Sequence, residues 1–117
     1  MGPLPPRFTL EELIGCRLNQ VCIGLYDLQF HFDRAHDISC TGRVIVELDG
    51  QSTLVFDSET WGDASSLPRL AGLDVTGWKI EGSHEFSVTL TGGPKIRFQS
   101  TDCQYEEFVI QPEGWVV

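Results

Sequence analysis

Apolar side chains recur at every second position through most of the chain, which is the period of β-strands with one face in the core. Between residues 21 and 40 the alternation changes parity once, at Tyr26-Asp27, which predicts a tight turn between two strands. The run Arg43–Leu48, the dipeptide Asp49-Gly50 and the run Gln51–Asp57 together predict a β-hairpin. We therefore expect the first half of the chain to be a meander of about five strands.

The second half alternates in the same way and ends in a short apolar run. Its predicted strands are Leu73–Gly82, His84–Thr91, Lys95–Gln99, Glu107–Gln111 and the terminal Trp115-Val-Val.

The two halves also resemble each other. Residues 13–32 align with residues 70–90 when one residue is inserted, and the alignment matches Gly15 with Gly72. Both copies break the alternation at the same place, Asn19-Gln20 and Thr76-Gly77, which predicts a shared β-bulge. We interpret residues 13–57 and 70–111 as a duplicated unit within one domain, residues 1–117. Chance similarity between alternating strands is the alternative.

Two segments favour short helices. Thr9-Leu-Glu-Glu12 has the form of a capping box, and Gly15 is suited to end the helix that it begins. Asp63 or Ser65 can begin a second short helix that ends at Gly72. Residues 1–8 contain three prolines and predict an extended arm, held down by Phe8.

These elements predict a mainly β fold in which antiparallel meanders from two related halves pack as a sandwich or half-open barrel, with two short helices. An α+β arrangement with the helices on one face is the alternative. The expected core residues are Phe30, Phe32, Val46, Phe56, Trp78, Ile80, Phe86, Val88, Leu90, Ile96 and Phe98.

The charge balance limits the partners. Seventeen acidic and eight basic side chains give a net charge of −9, which argues against nucleic acid and anionic membranes, since phosphate contacts need clustered Lys and Arg. A partner recognised by electrostatics would be basic, although acidity also serves solubility alone. No signal peptide and no apolar run of membrane-spanning length are visible, so we expect a cytoplasmic protein with reduced cysteines.

One turn carries residues that bind metals in other proteins. His31, Asp33 and His36 can supply two imidazoles and a carboxylate to zinc or another divalent ion. Because His31 has the opposite parity to Phe30 and Phe32, it should face solvent, and an ordinary polar hairpin is the alternative. We expect no cofactor elsewhere in the chain.

Two acidic segments surround an aromatic side chain, Trp61 in one and Tyr105 in the other. Trp and Tyr dominate protein interfaces, and carboxylates around them favour a basic partner. The alternative is a solvated loop whose aromatic ring covers the core. The candidate partner-binding residues are Asp57, Glu59, Trp61, Asp63, Tyr105, Glu106 and Glu107.

The string Q-V-C-I-G-L-Y-D-L-Q-F of residues 20–30 resembles the opening of small, uncharacterised bacterial β-rich domains. The resemblance covers residues 13–48. It implies a domain similar in size and acidity to some immunity or partner-binding proteins, and it carries over no functional residue.

Catalysis has no support in the sequence. The chain contains no G-x-S-x-G, no phosphate-binding loop and no Gly-rich dinucleotide turn, and the parity of Cys40 directs its thiol into the core. We therefore expect a non-enzymatic module that binds a basic protein, such as an immunity-type inhibitor. A metal- or small-ligand-binding β domain and a structural homodimer paired through edge strands are the alternatives.

Overall fold

The computed structural model describes residues 4–5, 7–58, 60–100, 108–111 and 114–117. Antiparallel strands dominate these residues, and they pack as two sheets, which confirms the mainly β prediction. In chain order the strands are β1 (Leu18–Ile23), β2 (Leu28–Phe32), β3 (Asp37–Cys40), β4 (Arg43–Leu48), β5 (Gln51–Asp57), β6 (Thr60–Trp61), β7 (Val75–Gly82), β8 (Glu85–Leu90), β9 (Lys95–Gln99), β10 (Phe108–Gln111) and β11 (Trp115–Val116).

Each sheet contains strands from both halves of the chain. The first sheet has the order β1-β2-β3-β10-β11, and the second has the order β6-β5-β4-β9-β8-β7. After β3 the chain therefore changes sheets at Thr41-Gly42, and β10 and β11 return to the first sheet. The sequence pattern predicted that the first half is a single meander, and this was wrong. Alternation fixes which face of a strand is buried, but it does not fix which sheet the strand joins.

The strand pairing of the two halves follows one scheme. The pairs Leu18↔Phe32 and Val75↔Leu90 begin the two corresponding hairpins, and each hairpin has a register shift one residue later, at Asn19 or Thr76. This confirms the predicted shared bulge. β3 and β9 are the third strands of the two halves, and β4 and β10 are the strands that follow them. β3 pairs with β10, and β9 pairs with β4, so in each half the chain changes sheets after the third strand. The duplication of residues 13–57 and 70–111 stays a prediction.

The two sheets are joined where β1 and β7 begin. Four backbone hydrogen bonds of 2.8 to 2.9 Å connect residues 15–18 with residues 72–75. Gly15 and Gly72 enter this junction with φ values of +88° and +92°, a conformation that glycine adopts without steric cost. At its centre Arg17 bridges Asp74, with 3.2 Å between the Arg17 Nε and Asp74 Oδ1 atoms.

The predicted short helices are single 3₁₀ turns, Glu11–Leu13 and Leu67–Arg69. Each is followed closely by a glycine of the junction, so the chain has no room for the several turns that make an isolated helix stable. The Thr9 hydroxyl accepts a hydrogen bond from the Glu11 amide at 3.2 Å, but Leu10 and not Thr9 occupies the cap position of the turn, so the capping-box prediction was wrong in its cap residue. Within the described ranges, no helix is long and apolar enough to cross a membrane.

The core lies between the two sheets and includes nine of the eleven predicted residues. Trp78 is partly buried against the core, whereas Ile80 is 44% exposed, so the core prediction was wrong for Ile80. Ile80 pairs with the buried Phe86 and shares its face, but it lies on β7, which is an edge strand. Parity alone therefore does not ensure that the opposite sheet covers a side chain.

The N-terminal arm closes one open side of the sandwich. Phe8 is buried, and its ring lies 5.0 Å from that of Phe86 and 6.2 Å from that of Trp78, both in the second sheet. The Phe8 ring is also 5.6 Å from that of Trp115 in the first sheet. The predicted arm is thus held by Phe8, which fills the space between the edge strands β7 and β11.

Replacing Phe8 by Ala should lower the free energy of unfolding by about 3 to 5 kcal/mol, because it leaves a cavity between three aromatic rings. Urea unfolding followed by tryptophan fluorescence measures the loss. Ile80→Ala is the control, since this side chain is 44% exposed and its loss should cost about 1 kcal/mol or less. Equal losses in both variants would show that the arm does not hold the two edges together.

Candidate functional site

Asp33, in the turn between β2 and β3, uses both of its carboxylate oxygens in hydrogen bonds within the fold. Its Oδ2 atom accepts a hydrogen bond from the Arg17 amide at 3.0 Å, and its Oδ1 atom accepts one from the Asn19 side chain at 2.8 Å. These bonds, that of Asn19 first, lower the pKa of Asp33. Asp33 therefore stabilises the bulge of β1 beside the junction between the sheets.

The structure does not bring the three predicted metal ligands together. His31 lies on the outer face of the first sheet, where its Nε2 atom is 3.0 Å from Gln29 Oε1. His36 follows the turn and is buried, and both Asp33 oxygens accept hydrogen bonds from β1 and the residue before it. Among the residues described, no group of three His, Cys, Asp or Glu side chains is placed to hold a metal ion.

Arg34 lies in the same turn and contacts the segment that precedes β1. Its Nη2 atom lies 2.9 Å from Cys16 Sγ and 3.2 Å from the Glu12 carbonyl oxygen, and the contact with Cys16 raises the pKa of Arg34. An open cavity of about 420 Å³ lies beside it, lined by Glu11, Glu12, Ile14, Arg34 and His36. Cys16 itself is buried.

Cys40 is also buried, which confirms the parity argument made from the sequence. Burial, followed by the nearby Asp27 carboxylate, raises the pKa of the Cys40 thiol well above its ordinary value. A thiol that stays protonated is a poor nucleophile, so Cys40 serves packing.

The structure places the loop of Trp61 against the protein's own core and ion pairs. Trp61 is half-buried, and its ring centroid is 4.6 Å from that of Phe56. Asp57 forms an ion pair with Arg43 at 3.3 Å. Asp63 accepts a hydrogen bond from the Ser65 amide at 3.0 Å, and the contact with Ser65 lowers the pKa of Asp63.

The remaining candidates of the two acidic segments are Glu59, Tyr105, Glu106 and Glu107. They lie outside the described residues.

The outer face of the second sheet is a balanced ionic lattice. Glu81 lies 2.6 Å from the Lys95 ammonium and accepts a hydrogen bond from Ser87 at 2.8 Å, and these contacts lower its pKa. Glu85 binds Arg97 at 2.7 Å, which raises the pKa of Arg97. Positive and negative side chains therefore alternate across this face, and most of the charge is neutralised locally.

The outer face of the first sheet has a different character. None of its strands, as described, contains a Lys or Arg. By register, the side chains that share this face are Gln20, Cys22, Gln29, His31, Asp37, Ser39, Val109, Gln111 and Val116. The face is thus part apolar and part polar, and its only charged strand residue is acidic.

An apolar tip lies at one end of this sheet. The turn between β1 and β2 leaves Leu25 76% exposed, and Ile23 and Tyr26 are each 60% exposed. We call residues 23–27 the hairpin tip. Large apolar side chains beside a turn glycine are unusual in a solvated hairpin, where polar residues are expected. That signal is present in Gly24-Leu25-Tyr26, and the sequence interpretation missed it by treating the string as strand and turn alone.

Hydrogen bonds connect the tip with the outer face. The Asp27 Oδ2 atom accepts a hydrogen bond from the Gln29 side-chain nitrogen at 2.9 Å, and Gln29 Oε1 lies 3.0 Å from the imidazole of His31. Asp27, Gln29 and His31 therefore form a polar chain along β2. The hairpin tip and the outer face of the first sheet make up the candidate binding surface.

Comparison of the chain with protein-family models, with curated proteins and with solved structures finds no match in any of the three. The resemblance of residues 13–48 to bacterial β-rich domains stays a prediction.

The Asp33 contacts predict a pH-dependent contribution to stability. Because folding lowers the pKa of Asp33 below its ordinary value of 3.8, its contribution is present above that pH and is lost as the pH falls through the folded pKa. Asp33→Asn should be less stable than the unchanged protein at pH 7, and the difference should shrink in acid. Urea unfolding at about pH 7, 5 and 3 measures it. A difference that stays constant across these pH values would contradict the assignment.

Proposed function

We propose that this chain is a non-enzymatic module that binds a basic protein, in the manner of an immunity-type inhibitor. The proposal rests on how its negative charge is distributed over the fold. In the described ranges, the basic side chains of the second sheet pair with carboxylates of that same sheet, whereas the strands of the first sheet carry Asp37 and no base. The strands of the second sheet are therefore close to neutral, whereas those of the first sheet, where described, carry one acid and no base.

This distribution fits a partner with a positive surface. A surface that carries the carboxylates of Asp27 in the hairpin tip and Asp37 on β3, with no Lys or Arg on its described strands, attracts a basic protein and speeds its encounter. The outer face of the second sheet is less favourable for such a partner, because its basic side chains would have to compete with existing ion pairs such as Arg97–Glu85. Charge complementarity thus favours the first sheet as the binding side.

The Trp61 loop is less suited to the same task. Asp57 is already paired with Arg43, and Trp61 packs on Phe56, so binding there would disturb contacts within the fold. Contact through Trp61 and the second acidic segment stays a prediction.

The test is affinity capture from a lysate of the source organism, with the retained protein identified and purified. We expect a protein of net positive charge whose binding weakens between about 0.1 M and 1 M salt, as the Debye length falls from about 10 Å to about 3 Å. If the partner is a toxin or nuclease, an equimolar amount of the chain should block its activity.

The control is an unrelated acidic protein of similar net charge. Retention of the same proteins by that control, or of no basic protein by this chain, would contradict the proposal.

The proposal also predicts the effect of a single charge. Asp37→Asn should weaken binding of the identified partner about two- to fivefold, since an exposed ion pair contributes about 0.2 to 1 kcal/mol. Glu47→Gln is the matched control, because it removes a half-buried carboxylate from a strand of the second sheet. Calorimetric titration compares the two. A larger effect at Glu47 would place the partner on the other face.

A further inference from the structure

The hairpin tip exposes three large apolar side chains, Leu25 and Tyr26 in the turn and Ile23 at the end of β1, where it pairs with Leu28. Leu25 is 76% exposed, and Ile23 and Tyr26 are each 60% exposed. Isolated exposed apolar residues are ordinary on proteins, but a group of them beside a polar rim marks an interaction site. Tyr is also among the residues that contribute most to binding free energy at interfaces.

Contacts within the protein hold this tip in one conformation. The Gly24 amide donates a hydrogen bond to the Asp27 carbonyl oxygen at 2.9 Å, which closes the turn. The Asp27 side chain folds over Gly24 so closely that a Cβ at position 24 would overlap Asp27 Oδ1. Gln29 holds the other carboxylate oxygen at 2.9 Å. A partner therefore meets a preorganised tip and loses less conformational entropy on binding.

The charge around the tip indicates what binds it. Asp27 closes the tip, and Asp37 lies on the adjoining outer face at its far end, opposite His31. The described strands of the first sheet contain no base, and Arg17 and Arg34 lie at the end of the sheet away from the tip, where they contact Asp74 and Cys16. A second copy docked through the same face would bring these carboxylates towards their own counterparts, and like charges at an interface are unfavourable. A different protein with a positive rim fits this charge pattern better.

We propose that Leu25 and Tyr26 insert into an apolar depression on the basic partner, while Asp27 and Asp37 bind Lys or Arg side chains at its rim. This inference rests on the proposed function and specifies the surface that performs it.

The first test uses Leu25→Ala with Tyr26→Ala, measured by calorimetry against the purified basic protein that the unchanged chain retains. Because both side chains are exposed, the double variant should stay folded, and its binding should weaken at least about tenfold. The matched control is Leu54→Ala with Ile80→Ala, since each of these side chains is 44% exposed on the second sheet. The control should bind as the unchanged chain does.

A second test addresses the conformation of the tip. Gly24→Ala replaces none of the apolar side chains of the tip but displaces the Asp27 carboxylate from its contact with Gly24. We expect weaker binding together with a smaller dependence on salt, whereas Leu25→Ala should weaken binding and leave the salt dependence unchanged. Thermal unfolding of each variant separates lost binding from lost folding.

A third test gives a direct contact. With p-benzoylphenylalanine in place of Tyr26, illumination should crosslink the chain to the basic partner, and with the same group in place of Leu54 it should not. If the partner binds the Leu25 and Tyr26 double variant unchanged, or crosslinks only from position 54, this surface is wrong and the proposed function stands. If no basic protein is retained by the unchanged chain, both are overturned. A homodimer that the double variant dissociates would show that a second copy occupies the tip.

Discussion

The fold depends on the hydrogen-bonded junction between residues 15–18 and 72–75. It joins the edge strands β1 and β7 of the two sheets, next to a β-bulge in each, so it sets how the sheets diverge from one another. The Arg17–Asp74 ion pair at its centre is largely exposed and contributes little, whereas the backbone bonds lie between the buried side chains of Leu18 and Val75. Backbone pairing, and not charge, therefore fixes this geometry.

Between the sheets, an aromatic cluster fills the space that the junction defines. Phe86 and Phe98 of the second sheet stack at 4.8 Å, and Phe108 of the first sheet meets both of them edge-on at 5.7 Å. Because β10 carries Phe108 and comes from the second half of the chain, the exchange of strands between sheets supplies one side of this core. Most of the inner faces is thus covered, and the outer faces differ in charge, since one is ionic and the other has no Lys or Arg on its described strands.

The sequence predicts the strands well because alternation is a local property. The bulges at Asn19 and Thr76, the turn at Tyr26-Asp27 and the buried Phe30 and Phe98 all follow from it. The exchange of strands between the sheets cannot be predicted from alternation, because the pairing partners are set by contacts that are distant in sequence. The candidate binding surface was harder to predict from the sequence than the strands. Leu25 has the same local pattern as a buried strand residue. Only the position of its hairpin at the edge of the sheet shows that nothing within the described residues covers it.

The exchange of strands also affects how the chain can reach this state. β3 pairs on one side with β2, its neighbour in sequence, and on the other side with β10, about seventy residues later. Two of the nine described strand pairings, β3 with β10 and β4 with β9, are non-local, and loops must close before those contacts repay the lost entropy. During synthesis, β3 would have an unpaired edge until β10 had emerged. In that period the unpaired strand could pair with another chain and cause aggregation. The acidity of the chain then acts before the fold is complete, since mutual repulsion keeps such intermediates apart.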